Sequence, residues 1–211
     1  MILIFDLDGT LIDSAPDIQA AVNRMLAQEG LAPLDLRTVT SFVGNGLPKL
    51  VERVMARCGL DPARHKHLTQ VTLSFYNADP ATLTRPYPGV PQALTALETA
   101  GHRLALCTNK PEAPARAILD DLGLARHFPV VVGGDTLAVN KPDPAPALEC
   151  VRLMGGGAAA FIGDSEVDAA TAEAAGLPFY LFTEGYRKSP VEALPHHAAF
   201  RDFADLPSLI D

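Results

Sequence analysis

Short, unbroken runs of apolar residues are the clearest pattern along this chain. The first run covers residues 2–5 and consists of β-prone side chains, which indicates a strand buried on both faces, as in the middle of a parallel sheet. From residue 90 onward, similar runs alternate with helical patterns that end near a glycine. This alternation predicts an α/β core with a doubly wound, Rossmann-like and mostly parallel sheet. The predicted strands cover residues 2–5, 103–107, 130–132, 158–162 and 179–182.

Between the first two predicted strands, the pattern is helical throughout. Apolar positions recur every three to four residues over residues 14–82, as on one face of a helix. Residues 85–89 (Arg-Pro-Tyr-Pro-Gly) indicate a stiff linker. We therefore expect a core domain of residues 1–13 and 83–211, with residues 14–82 inserted as an α-helical domain. The predicted helices of the insertion run from about residue 14 to 30 and over residues 36–42, 47–58 and 62–77.

Charge and cysteine content narrow the possible function classes. The formal net charge of -8 argues against nucleic-acid binding, because proteins that bind nucleic acid present a basic face. No run reaches the about 18 apolar residues of a membrane span, and Asp6 and Asp8 interrupt the apolar N-terminus, so we expect no membrane segment and no signal peptide. Cys58, Cys107 and Cys150 form no CxxC or metal-binding spacing, which indicates reduced thiols and a cytoplasmic protein.

Two carboxylates follow the first strand directly. Asp6 and Asp8 are two residues apart, so their side chains point to the same side while the chain stays extended. Like charges this close are costly unless a proton or a metal ion lies between them, and open α/β sheets keep their sites at the carboxyl ends of strands. The alternative is structural, with Asp6 as a helix cap and Asp8-Gly9 as a turn. Thr10 is expected to shape the loop through local hydrogen bonds.

Polar residues also follow other predicted strands. Thr108 and Asn109 follow the second strand, and Asp164 follows the fourth. Because these strand ends meet in one crevice, we expect a shared site that also includes Asp168 and Lys141. Four carboxylates with one lysine favour the binding of a hard cation, and oxygen ligands favour Mg²⁺.

These groups suit the hydrolysis of a phosphate monoester. Its transition state needs positive charge at the phosphoryl oxygens and an aligned nucleophile. Mg²⁺, Lys141, Thr108 and the backbone N–H groups after Asp6 would supply the charge, and Asp6 would attack phosphorus to form an aspartyl phosphate. Asp8 would protonate the leaving oxygen and later accept a proton from water. The expected partner is therefore a small anionic phosphorylated metabolite.

The same residues occur in the order of a known set of motifs. Residues 6–10 (Asp-Leu-Asp-Gly-Thr), 108–109 (Thr-Asn), Lys141 and 163–168 (Gly-Asp-Ser-Glu-Val-Asp) resemble the four motifs of the haloacid dehalogenase (HAD) superfamily of phosphatases, and the match spans the chain. The resemblance implies that the helical insertion is a cap domain, which closes over the site and excludes water. The dehalogenases proper lack the second aspartate, so Asp8 favours phosphoryl chemistry.

The resemblance also implies roles for individual residues. Asp6 would be the nucleophile and Asp8 the acid and base. The Mg²⁺ ligands would be the carboxylates of Asp6 and Asp164 and the backbone carbonyl of Asp8. Asp168 would lie beside the ion or in its water shell. The phosphoryl group would be held by Thr108, Asn109 and Lys141.

Within the superfamily, the sequence is most similar to the phosphoglycolate phosphatases, so the expected reaction is hydrolysis of 2-phosphoglycolate to glycolate and phosphate. Residues 183–197 depart from the pattern of that group. The similar segments are residues 42–46, 85–90, 107–111 and 133–136.

Four residues of the insertion are candidates for substrate selection. The turn formed by Gly44, Asn45 and Gly46 precedes a predicted helix, and such a turn can bind an anion through backbone N–H groups. It would hold the carboxylate of the substrate, with Lys49 as a cation nearby. The alternatives are a simple helix-entry turn and a solvated surface lysine.

Other functions stay open at this point. A sugar-phosphate mutase or a phosphonate hydrolase would use the same scaffold, and the latter would need Lys49 or Lys66 to form an imine. A signalling receiver domain also uses aspartate, threonine, lysine and Mg²⁺ on a doubly wound sheet. Its phosphorylated aspartate and its acidic pair lie on different strands, however, and it has no helical insertion. The sequence is compatible with a monomer or a homodimer.

Overall fold

The computed structural model describes residues 1–78 and 82–210. It divides into two compact units: Met1–Asp13 with Arg85–Asp211, which we name the core unit, and Ser14–Thr84, which we name the helical unit. The helical unit ends at Thr84, whereas the sequence predicts residue 82 as the end of the insertion. Residues 79–81 and 211, which the predicted domains include, lie outside the described residues.

Among the residues that the structure describes, all β-strands lie in the core unit. Each is short, and the longest have five residues. They are β1 (Ile2–Phe5), β2 (Ile12–Asp13), β3 (Arg85–Pro86), β4 (Arg103–Cys107), β5 (Val130–Val132), β6 (Ala159–Gly163), β7 (Phe179–Phe182) and β8 (Ala198–Phe200).

Six of these strands form one sheet with the order β5-β4-β1-β6-β7-β8. Every neighbouring pair is parallel, and the chain moves outward from the central β1 in both directions. The predicted doubly wound parallel sheet is therefore confirmed. All four residues of β1 are buried, as the unbroken apolar run predicts. Because β1 lies between β4 and β6, the carboxyl ends of these three strands meet at one edge of the sheet.

The sequence does not predict β2, β3 and β8. β2 and β3 pair antiparallel, with Ile12 opposite Pro86 and Asp13 opposite Arg85. β8 adds three residues to the sheet next to β7. β2 and β3 have only two residues each, too few for a hydrophobic period to develop. β8 is Ala-Ala-Phe and lacks the β-branched run that marks the equally short β5, Val-Val-Val.

The helical unit contains no strand within its described residues, 14–78 and 82–84. The first and third helices of the unit both pack against its last helix. Val22, Val54 and Leu68, one on each of these three helices, are fully buried. The predicted helix at 62–77 begins with a short 3-10 turn at 62–64, where Pro62 supplies no N–H. The helices are α1 (Ala15–Gln28), α2 (Leu36–Thr40), α3 (Gly46–Cys58) and α4 (His65–Ala78).

Among the described residues of the helical unit, the buried carboxylate is that of Asp17 on α1. Both of its oxygens accept from the backbone N–H of Leu83 at 3.0 Å. One of them also accepts from the backbone N–H of Thr84 at 2.7 Å and from its hydroxyl at 2.6 Å. Asp17 thus ties the first helix of the unit to its last residues, and its charge is balanced by neutral donors.

The remaining helices belong to the core unit and connect its strands. Buried apolar residues of the helices at 145–153 and 166–175, among them Ala147, Cys150 and Ala172, pack against Ile4 and Phe161 of the sheet. No helix among the described residues has the length and apolar character that a membrane crossing requires. The core-unit helices are α5 (Val90–Thr99), α6 (Glu112–Asp121), α7 (Ala145–Leu153), α8 (Glu166–Ala175) and α9 (Leu206–Ile210).

Candidate active site

The loop after β1 carries the first two carboxylates. Asp6 is buried and Asp8 is half-buried. The carbonyl oxygen of Leu7 accepts from the backbone N–H groups of Thr10 and Ile12, at 3.2 and 3.1 Å. These bonds fold the loop into a tight turn directly at the end of the central strand, so both carboxylates stay at the carboxyl edge of the sheet.

Gly9 allows a close approach between this loop and the loop after β6. Its φ of 91° lies in the left-handed region, which favours glycine. A Cβ atom at this position would lie 2.6 Å from Oδ2 of Asp164 and 2.7 Å from the ring of Tyr186. The glycine is therefore required both for the backbone conformation and for the space that it leaves.

Asp164 is fixed by two donors from distant parts of the chain. The hydroxyl of Thr10 donates to its Oδ1 at 2.8 Å, and the backbone N–H of Tyr186 donates to its Oδ2 at 2.5 Å. The expectation that Thr10 bonds locally is wrong, since its partner is 154 residues away. The sequence reasoning also missed Tyr186, whose hydroxyl donates to Asp13 at 2.7 Å. Its only sequence signal is the Gly185-Tyr186 pair shortly after β7.

Lys141 lies between two carboxylates. Its Nζ donates to Oδ1 of Asp6 at 2.8 Å and to Oδ1 of Asp168 at 2.6 Å, and only 2% of its side chain is exposed. The structure thus brings together three of the residues that the sequence assigned to one site.

Asp168 also holds the beginning of α8. Its Oδ2 accepts from the hydroxyl of Ser165 at 2.6 Å and from its backbone N–H at 3.1 Å, while Ser165 caps the helix in return. This is a capping box. A Cβ atom on Gly163 would lie 2.4 Å from Cβ of Asp168, so the last residue of β6 has to be a glycine for Asp168 to reach this position.

The loop after β4 contributes the second group of predicted residues. Thr108 is buried, and the side-chain amide of Asn109 donates to the carbonyl oxygen of Lys141 at 3.0 Å. The next residue, Lys110, was not assigned from the sequence. Its Nζ donates to both carboxylate oxygens of Asp8, at 2.8 and 2.9 Å. The partners are 102 residues apart. The sequence signals for Lys110 were its adjacency to Thr108 and Asn109 and its place in the similar segment 107–111.

Burial and mutual repulsion shift the pKa values of the buried carboxylates upward. Burial raises the pKa of Asp6 to about 7, because the stabilisation by Lys141 is smaller than the desolvation penalty and is opposed by the charge of Asp168. Burial and the charges of Asp168 and Asp6 also raise the pKa of Asp164. For Lys141, burial acts to lower the pKa, but the charges of Asp168 and Asp6 outweigh it and raise the value. The carboxylates of Asp6, Asp164 and Asp168 together therefore carry more negative charge than Lys141 balances.

The donor set fits a hard divalent cation. Asp6, Asp164 and Asp168 are buried, and each offers a carboxylate oxygen that lies within 4.8 Å of the others. Hard cations such as Mg²⁺ prefer oxygen ligands, and an added cation would relieve the repulsion that raises the pKa values of Asp6 and Asp164. The side chain of Asp8 is not part of this trio, and the role of its backbone carbonyl as a ligand stays a prediction.

The candidate residues for substrate selection lie in the helical unit. Gly44 and Gly46 adopt positive φ values of 120° and 78°. The side-chain oxygen of Asn45 accepts from Nη2 of Arg53 at 2.7 Å, so Arg53 stabilises this turn. Lys49 is exposed and pairs with Glu52 at 2.7 Å. The role of these residues toward a substrate stays a prediction.

Known proteins resemble this chain over its whole length. A family model described as a haloacid dehalogenase-like hydrolase matches residues 1–176. A phosphoglycolate phosphatase from Cereibacter sphaeroides is 51% identical over 210 residues, which cover 99% of this chain and 96% of that protein. One from Mesorhizobium japonicum is 42% identical over 206 residues, which cover 96% of this chain and 91% of that protein.

A solved structure agrees in fold. The crystal structure of a predicted phosphoglycolate phosphatase from Haemophilus somnus superposes with a TM-score of 0.92 at 30% sequence identity, and the match covers 100% of this chain and 97% of that one. The family model, the relatives and the fold all agree with the motifs at the carboxyl edge of the sheet. The chain therefore belongs to the family of haloacid dehalogenase-like hydrolases.

Proposed function

We propose that this protein is a Mg²⁺-dependent phosphatase that hydrolyses 2-phosphoglycolate to glycolate and inorganic phosphate. The observation that carries the proposal is the pairing of Lys141 with Asp6 and Asp168, at 2.8 and 2.6 Å. A buried cation against a carboxylate at a strand end suits the binding of a phosphoryl group beside a nucleophile. The choice of substrate is supported by relatives of 51% and 42% identity that bear the name phosphoglycolate phosphatase.

The proposed reaction has two steps. In the first, a carboxylate oxygen of Asp6 attacks phosphorus, and the bond between phosphorus and the glycolate oxygen breaks with its electron pair on that oxygen. Asp8 gives a proton to this oxygen, so that glycolate leaves as an alcohol. In the second, Asp8 takes a proton from a water molecule whose oxygen attacks phosphorus. Phosphate then leaves, and the carboxylate of Asp6 is regenerated.

Three residues would hold the phosphoryl group during this reaction. The ammonium of Lys141 contacts the proposed nucleophile, Asp6. It would therefore lie close to the negatively charged phosphoryl oxygens of a bound substrate. Thr108 offers a hydroxyl from the end of β4. Asn109 bonds the backbone of Lys141 at 3.0 Å, which keeps the loop of Thr108 beside the lysine. Fixed donors of this kind stabilise developing charge without reorganisation.

The metal ion would be held by the carboxylates of Asp6 and Asp164 and the backbone carbonyl of Asp8. When bound, Mg²⁺ supplies positive charge that offsets the charge on the phosphoryl oxygens. The two oxygens of Asp168 are bonded to Lys141 and to Ser165. We therefore assign to Asp168 the positioning of Lys141, and Asp168 would lie beside the ion or in its water shell.

A panel of phosphate monoesters tests the reaction and the substrate together. Release of phosphate is measured from 2-phosphoglycolate, from sugar phosphates and from phosphoserine, with Mg²⁺ and with a chelator. We expect the highest kcat/KM for 2-phosphoglycolate and no turnover in chelator. A mutase would instead isomerise a sugar phosphate without releasing phosphate, and a receiver domain would keep its phosphoryl group. Either result contradicts the proposal.

The covalent step is tested with Asp6→Asn. We expect turnover to fall by at least about 1,000-fold, because knocking out a nucleophile removes the whole covalent route, while the circular dichroism spectrum is unchanged. In acid-quenched reactions with ³²P-labelled substrate, the wild-type protein should retain label and the variant should not. Asp35→Asn, the same chemical change at an exposed helix cap, is the matched control. Wild-type turnover in the Asp6 variant would exclude an aspartyl phosphate at this residue.

A further inference from the structure

A second lysine in the core unit is paired with the carboxylate that the proposed reaction uses as acid and base. Nζ of Lys110 lies 2.8 Å from Oδ1 and 2.9 Å from Oδ2 of Asp8. The side chains of Lys110 and Asp8 are 8% and 16% exposed. A single ammonium that contacts both oxygens from one side restrains the rotation of the carboxylate group, and partial burial protects the pair from screening by salt.

The backbone of Lys110 is itself held from both sides. Its N–H donates to the hydroxyl of Thr108 at 3.2 Å, and its carbonyl oxygen accepts from the backbone N–H of Gly134 at 2.8 Å. A Cβ atom on Gly134 would lie 2.4 Å from the carbonyl oxygen of Asn109. The loop after β5 therefore packs backbone to backbone against the turn that carries Lys110.

The same loop holds the residues that follow Lys110. The backbone N–H of Glu112, where α6 begins, donates to Oδ1 of Asp135 at 2.7 Å. The hydroxyl of Thr136 donates to the Glu112 carboxylate at 2.9 Å. A Cβ atom on Gly133 would lie 2.3 Å from the backbone nitrogen of Glu112. The Gly-Gly-Asp-Thr segment at 133–136 thus braces the turn, although none of its side chains takes part in the proposed chemistry.

We propose that Lys110 is a positioning residue that fixes the carboxylate of Asp8 for proton transfer, and that residues 133–136 brace it. The inference rests on the proposed function, in which Asp8 is the acid and base. A carboxylate has about four acceptor sites, so two contacts with Lys110 leave sites free for a proton shared with the leaving oxygen. Lys141 does not replace it, because its two carboxylate partners are Asp6 and Asp168.

A double-mutant cycle tests this role. Wild-type protein, Lys110→Met, Asp8→Asn and the double variant are assayed in Mg²⁺ with 2-phosphoglycolate and with p-nitrophenyl phosphate. Positioned acid–base groups contribute about 100-fold to 10,000-fold, and we expect Lys110→Met to lose about tenfold to 100-fold of kcat on 2-phosphoglycolate, with a smaller change in KM. The loss should be smaller on p-nitrophenyl phosphate, whose leaving group needs no proton, because only the second step then depends on Asp8. In the Asp8→Asn background, Lys110→Met should cost no more than about twofold, since its partner is already gone.

Control variants separate positioning from other roles. Lys110→Arg keeps the charge and two donors, and it should recover part of kcat. Arg152→Met removes an exposed cation of α7 that pairs with Glu149, and it should match the wild type within about twofold. Unfolding midpoints are recorded for every variant. Should Lys110→Met fail to fold, Lys110→Gln takes its place in the cycle.

Several outcomes would overturn the inference. An equal loss in both backgrounds, above all in KM, would mean that Lys110 binds the substrate directly. An unchanged kcat with a lowered unfolding midpoint would mean that the pair is structural only. In both cases the wild-type protein still hydrolyses the esters. These results would therefore contradict the proposed role of Lys110 but not the proposed function. A wild-type protein that hydrolyses neither ester would overturn the proposed function, and this inference with it.

Discussion

One lysine of the core unit and one lysine of the helical unit form ion pairs of two different kinds. Lys141 of the core unit is 2% exposed and bonds carboxylates that are 135 and 27 residues away. Lys49 of the helical unit is 47% exposed and bonds Glu52, three residues along the same helix. The contact distances, 2.8 Å to Asp6 and 2.7 Å to Glu52, are nearly equal. The contact distance therefore does not distinguish the buried ion pair from the surface ion pair, whereas burial and sequence separation do.

The difference has an energetic origin. Taking charges out of water costs several kcal/mol per ion, so an apolar pair would serve folding as well as Lys141 and Asp6. In the proposed function, the charge of Lys141 serves to bind the phosphoryl group. The helical unit shows the other solution at Asp17, whose buried carboxylate is balanced by backbone N–H groups and a hydroxyl. These neutral donors hold the chain in place, and they offer no cationic side chain to an anionic ligand.

The largest loss of stability should come from Lys141→Met in the core unit. Removing one partner of a buried ion pair costs about 3 to 5 kcal/mol, because the remaining charges are left uncompensated. We expect the free energy of unfolding in chelator to fall by about 3 kcal/mol and turnover to fall by at least about 100-fold. Mg²⁺ should raise the unfolding midpoint more in this variant than in the wild type, since the ion then balances charges that the lysine no longer does. Equal shifts by Mg²⁺ in both proteins would contradict the proposed ligands.

The parts of the core unit that the sequence predicts are those with a local signal. β1 lies in an unbroken apolar run because it is buried on both faces, and Asp6 and Lys141 belong to recognisable motifs. Lys110 lies in the similar segment 107–111 and Tyr186 follows Gly185, but neither signal indicates a partner, because Asp8 and Asp164 are 102 and 22 residues away. Their contacts exist only once the strands are ordered in the sheet. β8 was missed because its sequence, Ala-Ala-Phe, carries little β-strand propensity, whereas the equally short edge strand β5 is Val-Val-Val. Its pairing with β7 defines it as a strand.

An intermediate effect is expected at Asp17 in the helical unit. In Asp17→Asn, an amide N–H₂ replaces one acceptor oxygen and faces the donors of Leu83 and Thr84. Leaving buried donors without an acceptor costs about 1 to 3 kcal/mol, and we expect a loss of about 2 kcal/mol in the free energy of unfolding. Amide hydrogen exchange at Leu83 and Thr84 should become faster. Asp35→Asn in the same unit should change neither quantity, because asparagine caps a helix as well as aspartate does. Unchanged exchange in the Asp17 variant would show that this carboxylate does not hold the end of the unit.

The smallest effect should come from Lys49→Met, which probes whether an exposed lysine of the helical unit serves the substrate. Its partner Glu52 is exposed, so the unfolding midpoint should stay at the wild-type value, in contrast to Lys141→Met. Exposed ion pairs are weak, and we therefore expect KM for 2-phosphoglycolate to rise by only about twofold to fivefold, with kcat unchanged. KM for phenyl phosphate, whose leaving group has no carboxylate, should not change. If both KM values stay at the wild-type level, Lys49 is a solvated surface residue, and the selection of the carboxylate depends on other groups. If both rise together, the lysine attracts phosphate esters in general and does not distinguish among them.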